Sequence, residues 1–374
     1  MERPLHGGNL TWAAAVADCH AAKIVDFSAS INPLGPPATA IAAIQSHLSQ
    51  LKTYPDPDYR QLRSALSQVH LISPDWILPG NGSAELLNWV GWDLSQLEIT
   101  YLLTPAFGDY WRCLKAFGAK VKKYPLNIAN LGQEQKKLIL SSQDKSVITP
   151  ALPISVSDFP LVNSRYGLLL NNPHNPTGQL FSREAILPYL EKFALVVVDE
   201  AFMDFLPPEN QESLIDLVPQ FPNLVILRSL TKFYSLPGLR LGYAIAHPDR
   251  LRRWQQLRDP WPVNGLAAAV GEVVVFDIDF AKKTWDWLLS SRPELFSSLA
   301  NLPKLQPLPG AANYLLVHSE IPSFELQEKL LKQQQILIRD CSSFPELGDR
   351  FFRVAIRTPE DNQRLIAGLT DIIV

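Results

Sequence analysis

Six short apolar runs, set apart by helix-length segments, narrow the architectures open to this chain. They are Ile99–Leu103, Val121–Tyr124, Leu168–Asn171, Leu195–Val198, Val225–Arg228 and Leu241–Ala246. Each is short for a buried helix and of ordinary length for a strand. Together, separated as they are, they predict strands of a sheet covered on both faces. That is the signature of a mostly parallel sheet with helices above and below. Ligands on such sheets gather beyond the carboxyl ends of the strands. Asn175, Asp199 and Lys232 each lie just past one of these runs, so one ligand could touch all three.

The 374 residues suffice for one large domain and a smaller one. After about residue 275 the pattern changes. A helix is expected over roughly Asp277–Leu299, a strand at Asn313–Val317, a helix at Glu325–Gln335, a strand at Phe352–Ile356 and then a closing helix. This reads as a second, α+β lobe. The first 35 residues read as an arm that joins it. The expected division is 36–275 for the large domain, with 1–35 and 276–374 forming the small one. The stretch 127–165 shows little periodicity and carries no functional reading.

Bulk properties exclude several classes. The 34 basic and 37 acidic residues leave a net charge of −3, which offers no general attraction to nucleic acid. No apolar run reaches the roughly 18 residues that a membrane helix needs. The N-terminus carries no apolar stretch like a secretory signal. Cys19, Cys113 and Cys341 are scattered and odd in number, so neither a disulfide framework nor a metal site is expected. Their pattern fits a reducing cytoplasm.

The densest chemistry lies in Ser229-Leu-Thr-Lys232-Phe-Tyr-Ser-Leu-Pro-Gly-Leu-Arg240. Upstream stand Asn172-Pro-His-Asn175-Pro-Thr-Gly178 and Asp199-Glu-Ala-Phe202. In this order and spacing the three segments resemble the pyridoxal-phosphate enzymes of the aspartate-aminotransferase fold. The resemblance implies an α/β fold of type I, with a mostly parallel seven-stranded sheet in the large domain and a smaller α+β domain. It also implies roles. Lys232 would condense with the cofactor aldehyde, Asp199 would hold the pyridine nitrogen, and Asn175 would donate to the ring oxygen O3′. Ser229, Arg240 and the helix start Asn81-Gly82-Ser83-Ala84 would hold the cofactor phosphate, since backbone N–H groups there bind anions. Phe107 would stack on the ring. Tyr54, in Tyr-Pro-Asp-Pro, would reach the phosphate site of a second copy, making the unit a homodimer with shared active sites. Phe202 departs from many relatives, which carry tyrosine there and gain one more bond to O3′.

Further segments narrow the resemblance. His6-Gly-Gly-Asn9, Asp26-Phe-Ser-Ala-Ser-Ile-Asn32-Pro-Leu-Gly35, Ile338-Arg339-Asp-Cys-Ser342 and Phe352-Arg353-Val-Ala-Ile-Arg357-Thr358 are similar to the threonine-phosphate decarboxylases of cobalamin biosynthesis. Ser30 stands where that family often has asparagine. The resemblance implies L-threonine O-3-phosphate as substrate, and (R)-1-aminopropan-2-yl phosphate and carbon dioxide as products. It places Arg353 on the substrate carboxylate, and His6, Asn32, Arg339 and Arg357 near its phosphate, with Asn175 also at the substrate. Histidinol-phosphate aminotransferases share the cofactor motifs, so transamination of a small phosphorylated amino substrate is the alternative. A sensor of this fold would need a DNA-binding module and a basic face, and the sequence presents neither.

Overall fold

A computed structural model describes residues 3–126 and 163–374. The stretch 127–165 falls outside the described residues up to residue 162. The central sheet runs β2 (Ile77–Asn81), β8 (Leu241–Ala246), β7 (Leu224–Ser229), β6 (Phe193–Asp199), β5 (Asn163–Asn171), β3 (Ile99–Thr104), β4 (Val121–Pro125) in spatial order. Strands β7, β6, β5, β3 and β4 are parallel, and β8 alone runs against its two neighbours. The six runs seen in the sequence are six of these seven strands. The pattern does not show β2, because Pro79 and Gly80 interrupt it. A proline is tolerated there because β2 is an edge strand, with β8 as its one neighbour.

Both faces of the sheet are covered, as continuous apolar runs require. Leu195, Val197, Leu169 and Leu227 pack on one face, against Leu86 and Val90 of the helix Ser83–Ser95 and Leu114 of the helix Gly108–Ala116. Val196, Val198, Leu168 and Ile226 pack on the other, against Leu62 of the helix Arg60–His70 and Val270 of the helix Gly265–Val274. Burying each such side chain contributes about 1.5–3 kcal/mol. A charge placed at Val197 would lose that and strand an ion in the core.

The second lobe begins with the helix Ile278–Ala300, whose first turn is capped by the Asp277 side chain. It carries an antiparallel sheet in the order β12 (Arg339–Asp340), β13 (Phe351–Ala355), β10 (Tyr314–Ser319), β9 (Leu305–Pro307). The first 35 residues are more structured than an arm. Asn9 caps a helix, Leu10–Ala17, by accepting from the Trp12 amide at 3.0 Å. Ala13 of that helix packs with Leu331 and Leu337. β1 (Val25–Asp26) then pairs in parallel with β11 (Ile336–Leu337). The next residues bridge the lobes, since Phe27 accepts from the Ala355 amide at 2.8 Å and Asn32 N–H donates to the Lys232 carbonyl at 3.0 Å.

Candidate active site

The strand ends and the bridging segment enclose a cavity of about 360 Å³. Lys232, Asp199, Asn175, Ser83 and Phe107 line it from the large domain, and His6, Arg339 and Arg353 from the other side. Lys232 sits on a one-turn helix, Leu230–Phe233, directly after β7. Its Nζ donates to Ser229 Oγ at 3.2 Å and lies 5.2 Å above the Phe202 ring. Burial lowers its pKa, Asp199 opposes that shift, and Arg240 and Arg353 add to it. A lysine so placed loses its proton more readily and becomes a better nucleophile.

Asp199 ends β6. Its Oδ1 accepts from the Ala201 amide at 3.0 Å and its Oδ2 from the Tyr110 hydroxyl at 2.8 Å. Burial raises its pKa, while Lys232 and Tyr110 pull it back down. Asn175 follows β5. Its amide N–H is held by Asn171 Oδ1 at 2.9 Å, and its own Oδ1 accepts from Arg353 Nη1. Its Nδ2 is left with no protein partner among the described residues.

Beside the cavity, Gly82 has φ +72° and opens the helix Ser83–Ser95 with no side-chain cap. A Cβ on Gly82 would lie 2.6 Å from Arg240 Nη2, so the guanidinium rests against the helix start. Gly242, which the sequence pattern does not single out, lets the start of this helix sit close against β8. A Cβ there would meet the Ser83 nitrogen at 2.6 Å. Ser229 Oγ is 2.8 Å from Thr231 Oγ1. Amides at a helix start with a guanidinium beside them form an anion site. Ala84 lies in the first turn of this helix but does not line the cavity.

On the opposite wall Arg353 is buried. Its Nη2 donates to the Ser28 carbonyl at 3.4 Å, its guanidinium stacks 4.7 Å over the Tyr314 ring, and its Nε has no partner. Arg339 donates to the Leu5 carbonyl and, at 2.7 Å, to Ser343 Oγ. Burial lowers its pKa. His6 is exposed at the rim, its ring 5.8 Å from that of Phe107.

Three expected residues do not join this group. Asn32 is committed to the protein: its Nδ2 donates to the Phe233 carbonyl and to Thr284 Oγ1, both at 2.8 Å, and its Oδ1 accepts from the Leu34 amide. It anchors the bridging segment to the Lys232 turn and has no donor left for a ligand. Arg357 points elsewhere. It pairs with Asp361 at 2.8 Å, donates to the Asp26 carbonyl at 3.1 Å and lies over Phe27. Tyr54 is 77% exposed and stacks on Trp261 at 4.3 Å, away from this chain's own cavity. Conversely, Tyr110, Asn171, Tyr314 and the orphaned Ser30 hydroxyl belong to the site or its support. Tyr110 lies three residues after Phe107, one helical turn on, and that spacing was the available signal.

The donor set suits pyridoxal phosphate: an amine of lowered pKa, a buried carboxylate, a side-chain amide and an anion site alongside. Comparison with known proteins agrees. Residues 22–369 match the aminotransferase class I and II family, and the chain belongs to it. It is an enzyme of the pyridoxal-phosphate-dependent kind. It is 38% identical to the threonine-phosphate decarboxylase of Salmonella typhimurium, over 98% of this chain and 96% of that protein. It is 31% identical to the histidinol-phosphate aminotransferase of Symbiobacterium thermophilum, over 92% of this chain and 90% of that protein. The fold matches the histidinol-phosphate aminotransferase of Sinorhizobium meliloti, solved with pyridoxal-5′-phosphate, at a TM-score of 0.80 and 20% identity, over 100% of this chain and 97% of that one.

Proposed function

We propose that this chain decarboxylates L-threonine O-3-phosphate to (R)-1-aminopropan-2-yl phosphate and carbon dioxide, as a step of cobalamin biosynthesis. One observation carries the choice of substrate. Arg339 and Arg353 line one wall of the cavity, both buried, and neither forms an ion pair among the described residues. Buried cations without acidic partners are costly, and a ligand with two anionic groups would compensate them. Phosphothreonine carries a carboxylate and a phosphate on a short spacer.

In this assignment Arg353 takes the carboxylate, and Arg339 and His6 take the phosphate. Asn175, held by Asn171 and Arg353, presents Nδ2 to the cofactor's ring oxygen. Asp199 holds the ring nitrogen, and Gly82, Ser83, Ala84, Ser229 and Arg240 hold the cofactor phosphate. The cofactor, when bound, draws off the electron pair released as a bond at the substrate Cα breaks. The protein decides which bond that is, since only the bond perpendicular to the ring plane is activated. Two anchors at the ends of the substrate fix rotation about its N–Cα bond, and so can hold the Cα–carboxylate bond in that position. Lys232 Nζ would be placed to hold a proton beside the substrate Cα.

We assign 36–275 to the cofactor-binding domain, and 1–35 with 276–374 to the small one. The unit is taken as a homodimer in the cytoplasm, with Tyr54 entering the partner's phosphate site. Its exposure, and that of its stacking partner Trp261, supports the shared site. Among the described residues no helix is long and apolar enough to cross a membrane.

The test is substrate choice. Pure protein with pyridoxal phosphate is given O-phospho-L-threonine, L-threonine, or histidinol phosphate with 2-oxoglutarate, and products are identified by mass. Aminopropanol phosphate from the first, and little from the others, is expected. Glutamate formed from histidinol phosphate at a higher rate would replace this proposal with transamination.

A further inference from the structure

We infer that Tyr110 is a positioning residue that keeps Asp199 ionised and aimed at the cofactor's ring nitrogen. This deepens the functional assignment above and rests on it. The geometry is specific. Tyr110 projects from the helix Gly108–Ala116, is 2% exposed, and donates its hydroxyl to Asp199 Oδ2 at 2.8 Å. The Ala201 amide holds the other oxygen, so the carboxylate is fixed at both ends and its plane cannot turn. A carboxylate oxygen accepts along more than one lone-pair direction, so Oδ2 keeps capacity for a ring N–H.

The bond also matters for charge. Asp199 is 5% exposed, and burial disfavours its ionised form. The titratable groups that face it are Lys232 after β7, Asp109 and Tyr110 on the helix Gly108–Ala116, and Tyr314 on β10. Lys232 favours the anion, but its amine would be committed to the cofactor whenever that is bound. Asp109 disfavours the anion. Tyr110 is then the remaining side chain that stabilises it. Burial and the Asp199 charge push the Tyr110 hydroxyl well above its ordinary pKa, so it stays a donor.

The test measures the cofactor dissociation constant of the full chain against pH, together with thermal melting, in wild type, Tyr110→Phe and Asp199→Asn. Affinity should fall on the acid side as Asp199 protonates, and Asp199→Asn, which cannot titrate, identifies that limb by removing it. Losing a hydrogen bond to a charged group should raise the Asp199 pKa, so in Tyr110→Phe the limb should move up by about one pH unit. A ring-fluorinated tyrosine at position 110 alone is a stronger donor and should move it down. If both variants leave the limb in place, Tyr110 only packs and the inference is overturned, whatever happens to melting. If wild type fails to bind the cofactor, the assignment of the site falls as well.

Discussion

The two walls of the cavity are built by different means. On the large-domain wall each functional group follows a parallel strand: Asn175 after β5, Asp199 ending β6 and Lys232 after β7. One rule of sheet topology delivers all three. The facing wall draws on residues near 6, 30, 339 and 353, brought together by the β1–β11 pair and by the link between Phe27 and Ala355. No strand-end rule says which of its cations faces the cavity. Arg353 and Arg357 show this most clearly. They are four residues apart, yet Arg353 has no acidic partner and lines the cavity, while Arg357 is neutralised by Asp361.

The largest effect should come from the strand-end wall. Lys232→Ala should lower turnover by at least about three orders of magnitude, since nucleophile and proton carrier are lost together. Borohydride should fix a pyridoxyl group on Lys232 in the wild type, read by peptide mass, and a label on another lysine would break the assignment. Asp199→Asn should retain cofactor but lose turnover by at least about two orders of magnitude. Near-normal turnover would show that another group maintains the ring charge.

The second effect sharpens the contrast between the arginines. Arg353→Ala should reduce kcat/KM for phosphothreonine by about 10–150-fold, the loss of one charge-assisted contact. Arg357→Ala should change kcat/KM by less than about twofold and lower the melting temperature, because it loses the pair with Asp361 and the bond to the Asp26 carbonyl. Equal kinetic damage from the two would erase the distinction drawn here.

Assembly comes next. Tyr54→Ala should weaken cofactor binding by about tenfold without loosening the fold, as expected of a hydrogen bond supplied to an anion by the partner. A fully active monomer on sizing would remove the shared site.

The last effect lies outside the substrate site and concerns acid stability. His174 is buried in the loop that carries Asn175, and burial lowers its pKa from 6.5 to about 3. The unfolded chain therefore takes up this proton before the folded one does. Stability from neutral His174 is fully present above about pH 6.5 and is lost as pH falls from there towards 3. His174→Asn should flatten the stability–pH slope in that window by up to about 1.4 kcal/mol per pH unit. Equal slopes would mean that the histidine is charged, or equally shielded in the unfolded chain.

Much of the strand-end wall was legible in the sequence, because sheet strands and the residues after them leave a periodic trace. Six strands and the three groups beyond them could be read directly. The edge strand β2 was hidden by Pro79 and Gly80, which an edge position tolerates. The small-lobe helix after Asp277 was legible because its cap and amphipathic pattern are local. Asn32 and Arg357 were expected at the substrate because they stand inside resembling segments. Asp361 stands only four residues after Arg357 and is a local signal, whereas Thr284 and Phe233, the partners of Asn32, are settled by three-dimensional packing. Tyr110 was missed for the same reason, since the partner that gives it meaning lies 89 residues away.

The central claim is that the two unpaired arginines hold the substrate by both ends and so select the bond that breaks. A single turnover of carboxyl-labelled O-phospho-L-threonine tests it, comparing wild type with Arg339→Ala. The quantity measured is labelled carbon dioxide released against pyridoxamine phosphate formed. Wild type should give almost entirely carbon dioxide. With the distal anchor gone, the substrate can turn its Cα–H bond into the activated position, so the share of pyridoxamine phosphate should rise. An unchanged ratio, with only weaker binding, would contradict the claim and reduce the arginine wall to a source of affinity.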